Sequence, residues 1–217
     1  MALIEHHFSV PSDGRIARLP GWAAVGLVAV LLTVAGIAAR GLSDNGFRLG
    51  SQFVWRFTCL IYFAAVTAGP LARLIPSATL KRLCLERRQL VWGFCVSFGV
   101  YLASILLPNA PTLPGSDGLT AGMAIFIGFA GLLASVIAYS ASQPAAHFLG
   151  ERISRTMMQV GMATFWLVYA AAGLAYISGP HRPDLFYGFS LCLMLIALLL
   201  RFADCFLARW NAFRGTA

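Results

Sequence analysis

The chain has 217 residues, of which 59% are hydrophobic and 11% are charged. Soluble domains carry about 25% charged residues, so this composition excludes an ordinary soluble protein and predicts an integral membrane protein. The net charge of +8 lies in short segments between apolar runs, without the basic face and interleaved aromatic residues of nucleic-acid-binding proteins, so nucleic acid is excluded as a partner.

Six apolar runs approach the length needed to cross a bilayer, which is about 20 residues for roughly 30 Å of hydrocarbon. We predict spans over residues 21–39, 52–69, 89–107, 119–139, 157–177 and 185–207. The predicted fold is therefore an all-α bundle of six transmembrane helices. It comprises residues 21–208, between an N-terminal segment 1–20 and a tail 209–217.

The segment between spans two and three determines the predicted orientation. It carries more bases than acids, with Arg73, Lys81, Arg82, Arg87 and Arg88 against Glu86. Lys and Arg concentrate in the cytoplasmic loops of bacterial membrane proteins, whereas the connector 109–117 after span three contains neither. This distribution predicts a location in the bacterial inner (cytoplasmic) membrane, surrounded by the lipid bilayer, with both termini in the cytoplasm.

Span four carries small residues at alternating four- and three-residue steps. They are Ala124, Gly128, Gly131, Ser135 and Ala138. This spacing predicts one helix face on which a neighbouring backbone approaches closely. We interpret the face as packing within the bundle, with dimerisation as the alternative, and the oligomeric state stays open.

Three charged residues lie inside predicted spans. Arg56, beside Trp55, lies one turn inside span two, where it either extends to the external interface or faces the bundle interior. Arg201 and Asp204 are three residues apart on span six, so they are predicted to pair near the cytoplasmic end of that helix.

Three short motifs suggest a family. They are Ala-Gly-Pro-Leu-Ala-Arg-Leu at 68–74, Arg-Arg-Gln-Leu at 87–90 and Leu-Val-Tyr-Ala-Ala-Ala at 167–172. With the order of the spans, they make residues 52–178 resemble the ferric-reductase-like transmembrane domain. The resemblance implies a six-helix bundle that holds b-type haem through histidines on spans three and five and transfers electrons across the membrane.

The haem ligands of that pattern are replaced in this chain. By the resemblance, the span-three histidine falls at Tyr101, and the two span-five histidines fall at Phe165 and Ser178. The four histidines of the chain lie in loops or at span ends, at positions 6, 7, 147 and 181. The resemblance implies haem b, with Tyr101 as an alternative phenolate ligand. The residues themselves indicate no cofactor, no metal site and no catalytic residue.

Three hypotheses follow. The first is a haem-less or haem-altered subunit of a membrane assembly, or a partner of other membrane or redox proteins. The second is a transmembrane electron-transfer protein of the ferric- or methionine-sulfoxide-reductase type, using haem b in unusual ligation, or a flavin or quinone. The third is an unrelated six-span transporter or scaffold, which the scarcity of polar residues in the spans disfavours. We predict a cavity between spans three and five, lined by Tyr101, Phe165 and Ser178; bulky side chains there would mean that the site has become core.

Overall fold

The computed structural model describes residues 20–75, 77–107, 121–178 and 185–214. Within these ranges the chain forms eight α-helices and no β-strand, so the predicted all-α class is confirmed. The helices are α1 Gly21–Arg40, α2 Asp44–Leu74, α3 Ala78–Leu85, α4 Arg87–Leu106, α5 Ala121–Ser140, α6 Gln143–Leu149, α7 Glu151–Ser178 and α8 Leu185–Arg214. Helices α3 and α6 are short and lie in the connecting segments.

By length and apolar composition, four helices in the described ranges can cross a membrane. They are Gly21–Arg40, Asn45–Leu74, Arg87–Leu106 and Phe186–Leu207. Helix α5 is apolar over the shorter stretch Ala124–Ser140, and α7 is not among the four. The chain therefore has helices suited to membrane embedding, while a total of six spans stays a prediction.

Several helices begin or end outside the predicted spans. Helix α2 begins at Asp44 because Ser43 caps it: the Ser43 hydroxyl accepts a hydrogen bond from the backbone nitrogen of Gly46 at 3.4 Å. Most of the segment between the first two predicted spans therefore forms the first turns of α2. Helix α7 begins earlier than predicted, at Glu151, and α8 continues through the predicted tail to Arg214.

Helix α1 packs on the outside of the bundle against α2 and α4. Its contact with α2 depends on two glycines, because a Cβ atom on Gly36 would lie 2.3 Å from the backbone nitrogen of Gly50. Its contact with α4 is also close, since a Cβ atom on Gly93 would lie 3.2 Å from the Val25 side chain. Glycine at these positions allows the helix axes to approach closely.

The remaining long helices form a closed ring in which α2 contacts α4, α4 contacts α5, α5 contacts α7, α7 contacts α8 and α8 contacts α2. Hydrogen bonds join neighbours in the ring; for example, the Trp166 indole nitrogen donates to the Met194 carbonyl at 3.0 Å. Helices α4 and α7 face one another across the centre, where the ring centroids of Phe94 and Phe165 are 5.0 Å apart.

Basic segments meet at one end of this ring, which we call the basic end. There the Arg87 Nε donates to the Ala65 carbonyl of α2 at 3.1 Å, and the Arg88 Nε donates to the Ala141 carbonyl after α5. The basic segment between α2 and α4 and the segment after α5 thus share one end of the bundle. Which side of the membrane this end faces stays a prediction.

Candidate functional site

Aromatic side chains from α2, α4 and α7 form one connected cluster at the centre of the bundle, which we call the aromatic core. Its members are Trp55, Tyr62, Phe94, Phe98, Tyr101, Phe165 and Tyr169. The ring centroids of contacting pairs are 4.6 to 6.5 Å apart. These separations are those that aromatic pairs prefer, so the rings pack as a folded core.

Phe165, one of the predicted ligand-equivalent positions, lies in the middle of the aromatic core and is fully buried. It makes edge-to-face contacts with two residues of α4, at centroid distances of 5.0 Å to Phe94 and 4.9 Å to Phe98. The position where the resemblance places a histidine therefore holds a side chain that cannot ligate iron, and its neighbours leave no free face.

Tyr101, the second of these positions, lies half-buried at the edge of the aromatic core. Its ring contacts Trp55 at 5.0 Å and Phe98 at 5.8 Å. Because Phe98 also contacts Phe165, one phenylalanine links the two predicted positions. Ser178, the third position, is the last residue of α7, and its side chain lies outside the described part of the structure.

The predicted cavity between α4 and α7 is wrong, because aromatic rings fill that space. Two cavities border the aromatic core, one of about 100 Å³ beside Tyr101 and one of about 110 Å³ beside Tyr62. Both cavities are smaller than the roughly 300 Å³ at which pockets for organic ligands begin. Among the described residues, no group of three or more His, Cys, Asp or Glu side chains is arranged to hold a metal ion.

Two buried tyrosine hydroxyls of the aromatic core differ in their hydrogen bonding. The Tyr62 hydroxyl donates to the Met162 carbonyl of α7. The Tyr169 hydroxyl has no hydrogen-bond partner in the described part of the chain. A buried polar group without a partner costs free energy, whereas a satisfied one stabilises the fold modestly.

We therefore expect opposite results from one chemical change at these two positions. Tyr62→Phe should lower the free energy of unfolding by about 1 kcal/mol, because a buried hydrogen bond is lost. Tyr169→Phe should leave it unchanged or raise it, because an unpartnered hydroxyl is removed. Denaturant titrations of both variants in detergent measure the difference, and equal destabilisation would contradict this hydrogen-bonding pattern.

Arg56 lies at the end of the aromatic core away from the basic end. It is half-buried between α2 and α8, with its guanidinium carbon 5.2 Å from the centre of the Phe186 ring. This is a cation–π geometry, which partly replaces the water that the charge loses on burial. Arg56 also lines the cavity of about 100 Å³ with Trp55 and Tyr101. The structure thus places Arg56 where α2 contacts α8.

A larger cavity, of about 310 Å³, opens at the basic end between α2, α4, α7 and α8; we call it the basic pocket. Its lining residues are Val66, Pro70, Arg73, Arg87, Gln159, Arg201, Asp204 and Cys205. Three guanidinium groups and one carboxylate therefore surround one cavity. This combination favours an anion over a cation as its occupant.

The predicted pair of Arg201 with Asp204 is wrong. The Asp204 carboxylate instead pairs with Arg73 of α2, with 3.2 Å between Oδ2 and Nη2. The cause is the packing of α8 against α2, which brings the last turn of α2 to the Asp204 side chain. Arg201 and Asp204 do line the same cavity, and within the described ranges no carboxylate lies within 4.0 Å of Arg201.

The two motifs at 68–74 and 87–90 contribute Pro70, Arg73 and Arg87 to the lining of the basic pocket. Pro70 lies inside α2 and has no amide hydrogen, so it cannot donate the helical hydrogen bond to the carbonyl one turn earlier. Arg87 donates to a carbonyl of this region, that of Ala65. Pro70, about one turn before Arg73, is the sequence feature from which the pocket could have been predicted. In the sequence, these arginines indicate only the orientation of the spans.

The small residues of α5 do not share one buried face. Gly131 and Ala138 are half-buried, but Ala124, Gly128 and Ser135 are exposed. The buried face is offset from the predicted one and consists of Ala130, Ala134, Ile137 and Ala141. The predicted packing within the bundle is therefore wrong for the three exposed residues, which lie on the outer surface of the bundle.

Comparison with protein-family models, with curated proteins and with solved structures finds no significant match to this chain. The class that its own fold defines is an all-helical protein with apolar helices able to cross a membrane.

Proposed function

We propose that this chain is a membrane-embedded subunit or partner protein of the ferric-reductase-like class in which the haem site has become packed core. The observation that carries the proposal is the full burial of Phe165 between the rings of Phe94 and Phe98. A haem between α4 and α7 needs a ligating side chain and a flat space for the porphyrin. Phenylalanine rings occupy both places.

The aromatic core gives the bundle a source of stability that requires no cofactor. Rings from α2, α4 and α7 contact one another directly, and the Tyr62 hydroxyl bonds the backbone of α7. In a bilayer, helices associate through such packing and hydrogen bonds, because lipid tails are as apolar as the side chains. The protein then acts through its surface within an assembly, without electron transfer through a haem at its centre.

The outer face of α5 supports a role as a partner. Ala124, Gly128 and Ser135 are exposed, and a Cβ atom on Gly128 would meet nothing within 4 Å. Small residues on a membrane helix permit close approach of a second helix. This face suits another membrane protein, including a redox protein, as the neighbour.

The visible spectrum of the protein tests the proposal. Purified from its native membrane in mild detergent, it should show no stoichiometric Soret or alpha band, oxidised or dithionite-reduced, because no porphyrin fits between α4 and α7. Light scattering of the same preparation should give a mass above that of a single chain.

Bands corresponding to one haem per chain that disappear in Tyr101→Phe would contradict the haem-less core. The matched control is Tyr139→Phe, which removes an exposed hydroxyl on α5. A colourless protein with the mass of a single chain would contradict the partner role but would not contradict the haem-less core.

A further inference from the structure

The charges that line the basic pocket are not balanced by protein groups. Asp204 compensates Arg73, at 3.2 Å. Arg87 and Arg201 are both half-buried, and in the described part of the chain neither has a carboxylate within 4.0 Å. A partly buried charge without a counter-ion is costly. The pocket therefore provides two cationic groups for an anion from outside the chain.

Two of the guanidinium groups, those of Arg73 and Arg87, lie near the same position beside Gly69. The Nη2 of Arg73 and the Nη1 of Arg87 each lie 3.8 Å from the position that a Cβ atom on Gly69 would take. Forked N–H donors brought together in this way match the oxygens of a phosphate, which they bind through paired, charge-assisted hydrogen bonds. Gln159, also in the lining, adds a side-chain amide. The donor set favours phosphate as the bound anion.

The basic pocket adjoins an apolar cavity. The cavity of about 110 Å³ beside Tyr62 shares Val66 and Arg201 with the basic pocket. Its other lining residues are mainly apolar or aromatic: Tyr62, Met162, Ala163, Trp166, Ala197 and Leu198. Arg201 thus lies between a charged and an apolar compartment. A guanidinium takes this position where a membrane helix passes from hydrocarbon to headgroups.

We propose that the basic pocket binds an anionic, phosphate-bearing lipid. The headgroup phosphate lies among Arg73, Arg87 and Arg201, and the hydrocarbon enters the adjacent apolar cavity. Basic pockets between transmembrane helices are recognised sites for anionic lipid headgroups. The inference rests on the charges and cavities of the basic end, so it holds whether or not the aromatic core excludes haem.

Lipid binding to the purified full-length protein tests this proposal. The probes are dioleoylphosphatidylglycerol, dioleoylphosphatidylcholine and inorganic phosphate, measured by native mass spectrometry and by the shift each gives in thermal unfolding. The wild type should retain the phosphatidylglycerol, and Arg87→Gln combined with Arg201→Gln should weaken its binding at least tenfold. Lys81→Gln combined with Arg82→Gln removes the same charge from exposed sites and should change binding less than twofold.

A second variant separates a lipid from free phosphate. Ala163 is exposed at the apolar cavity, so Ala163→Phe fills that cavity at small cost to the fold. It should weaken lipid binding at least threefold and leave phosphate binding unchanged. Because Arg87 also bonds the backbone of α2, Arg201→Gln alone provides a check in which that bond is kept; we expect at least a threefold loss.

The proposal is overturned if either arginine variant, correctly folded, binds the phosphatidylglycerol as tightly as the wild type. It is also overturned if inorganic phosphate binds as tightly as the lipid and Ala163→Phe has no effect, since the ligand would then be a free anion. Equal binding of phosphatidylcholine and phosphatidylglycerol, unaffected by the arginine variants, would show that the hydrocarbon alone is recognised.

Discussion

Phe165→Ala is expected to lower the free energy of unfolding by about 3 kcal/mol. Truncation of a buried phenylalanine costs about 3–5 kcal/mol in soluble proteins, through lost transfer free energy and the cavity left behind. In a bilayer the transfer contribution is small, so the lost contacts and the cavity dominate. Phe165 is fully buried and contacts Phe94, Phe98 and Tyr169, so its contacts are lost in full. The small transfer contribution places the expected loss at the low end of the range.

Leu167→Ala provides the matched control, because Leu167 lies on the same helix and is 61% exposed. Its free energy of unfolding should stay within about 0.5 kcal/mol of the wild type. Unfolding in mixed micelles with increasing sodium dodecyl sulfate, followed by circular dichroism, measures both variants. Similar losses for the two would mean that α4 and α7 do not pack through Phe165.

Gly36→Ala is expected to force α1 away from α2. The new Cβ atom would lie 2.3 Å from the backbone nitrogen of Gly50 and 2.4 Å from its Cα atom. Backbone atoms cannot rotate out of the way as a side chain does, so the two helices must separate. Overpacking costs about 1–3 kcal/mol, and we expect a loss in the upper half of that range.

Gly128→Ala tests whether this effect is local to the helix contact. A Cβ atom at Gly128 would meet nothing within 4 Å, and alanine is the better helix former by roughly 1 kcal/mol. This variant should therefore be as stable as the wild type or more stable. The unfolding midpoint in detergent measures both variants, and a Gly36→Ala protein with an unchanged midpoint would show that α1 and α2 are further apart than described.

The aromatic core and the basic pocket lie at different depths and are tested by different readouts. Loss of Phe165 changes the stability of the bundle, whereas loss of Arg201 changes the retention of an anionic lipid. Arg201 lines both the basic pocket and the apolar cavity beside Tyr62. Its replacement by glutamine should therefore weaken ligand binding more than it lowers the stability of the fold. A protein with a cofactor-free core and a lipid bound at its basic end is compatible with a role as a membrane subunit.

The sequence alone was sufficient for the helical class and for the positions of most apolar helices. Partition into hydrocarbon depends on the composition of each segment, and about 20 apolar residues predict a spanning helix wherever it packs. The helix ends were less predictable, because a single side chain such as Ser43 determines where α2 begins. The absence of histidine from positions 101 and 165 was also visible directly in the sequence.

Only the tertiary structure decided which side chains surround Phe165 and which charges meet. Phe165 is a core residue because Phe94 and Phe98 come from another helix, and no local pattern shows that contact. Asp204 pairs with Arg73, far away in the sequence, and not with its neighbour Arg201, because α8 packs against α2. The composition of a segment determines whether that segment forms an apolar helix. Contacts between helices depend instead on side chains that are far apart in the sequence and that the fold brings together.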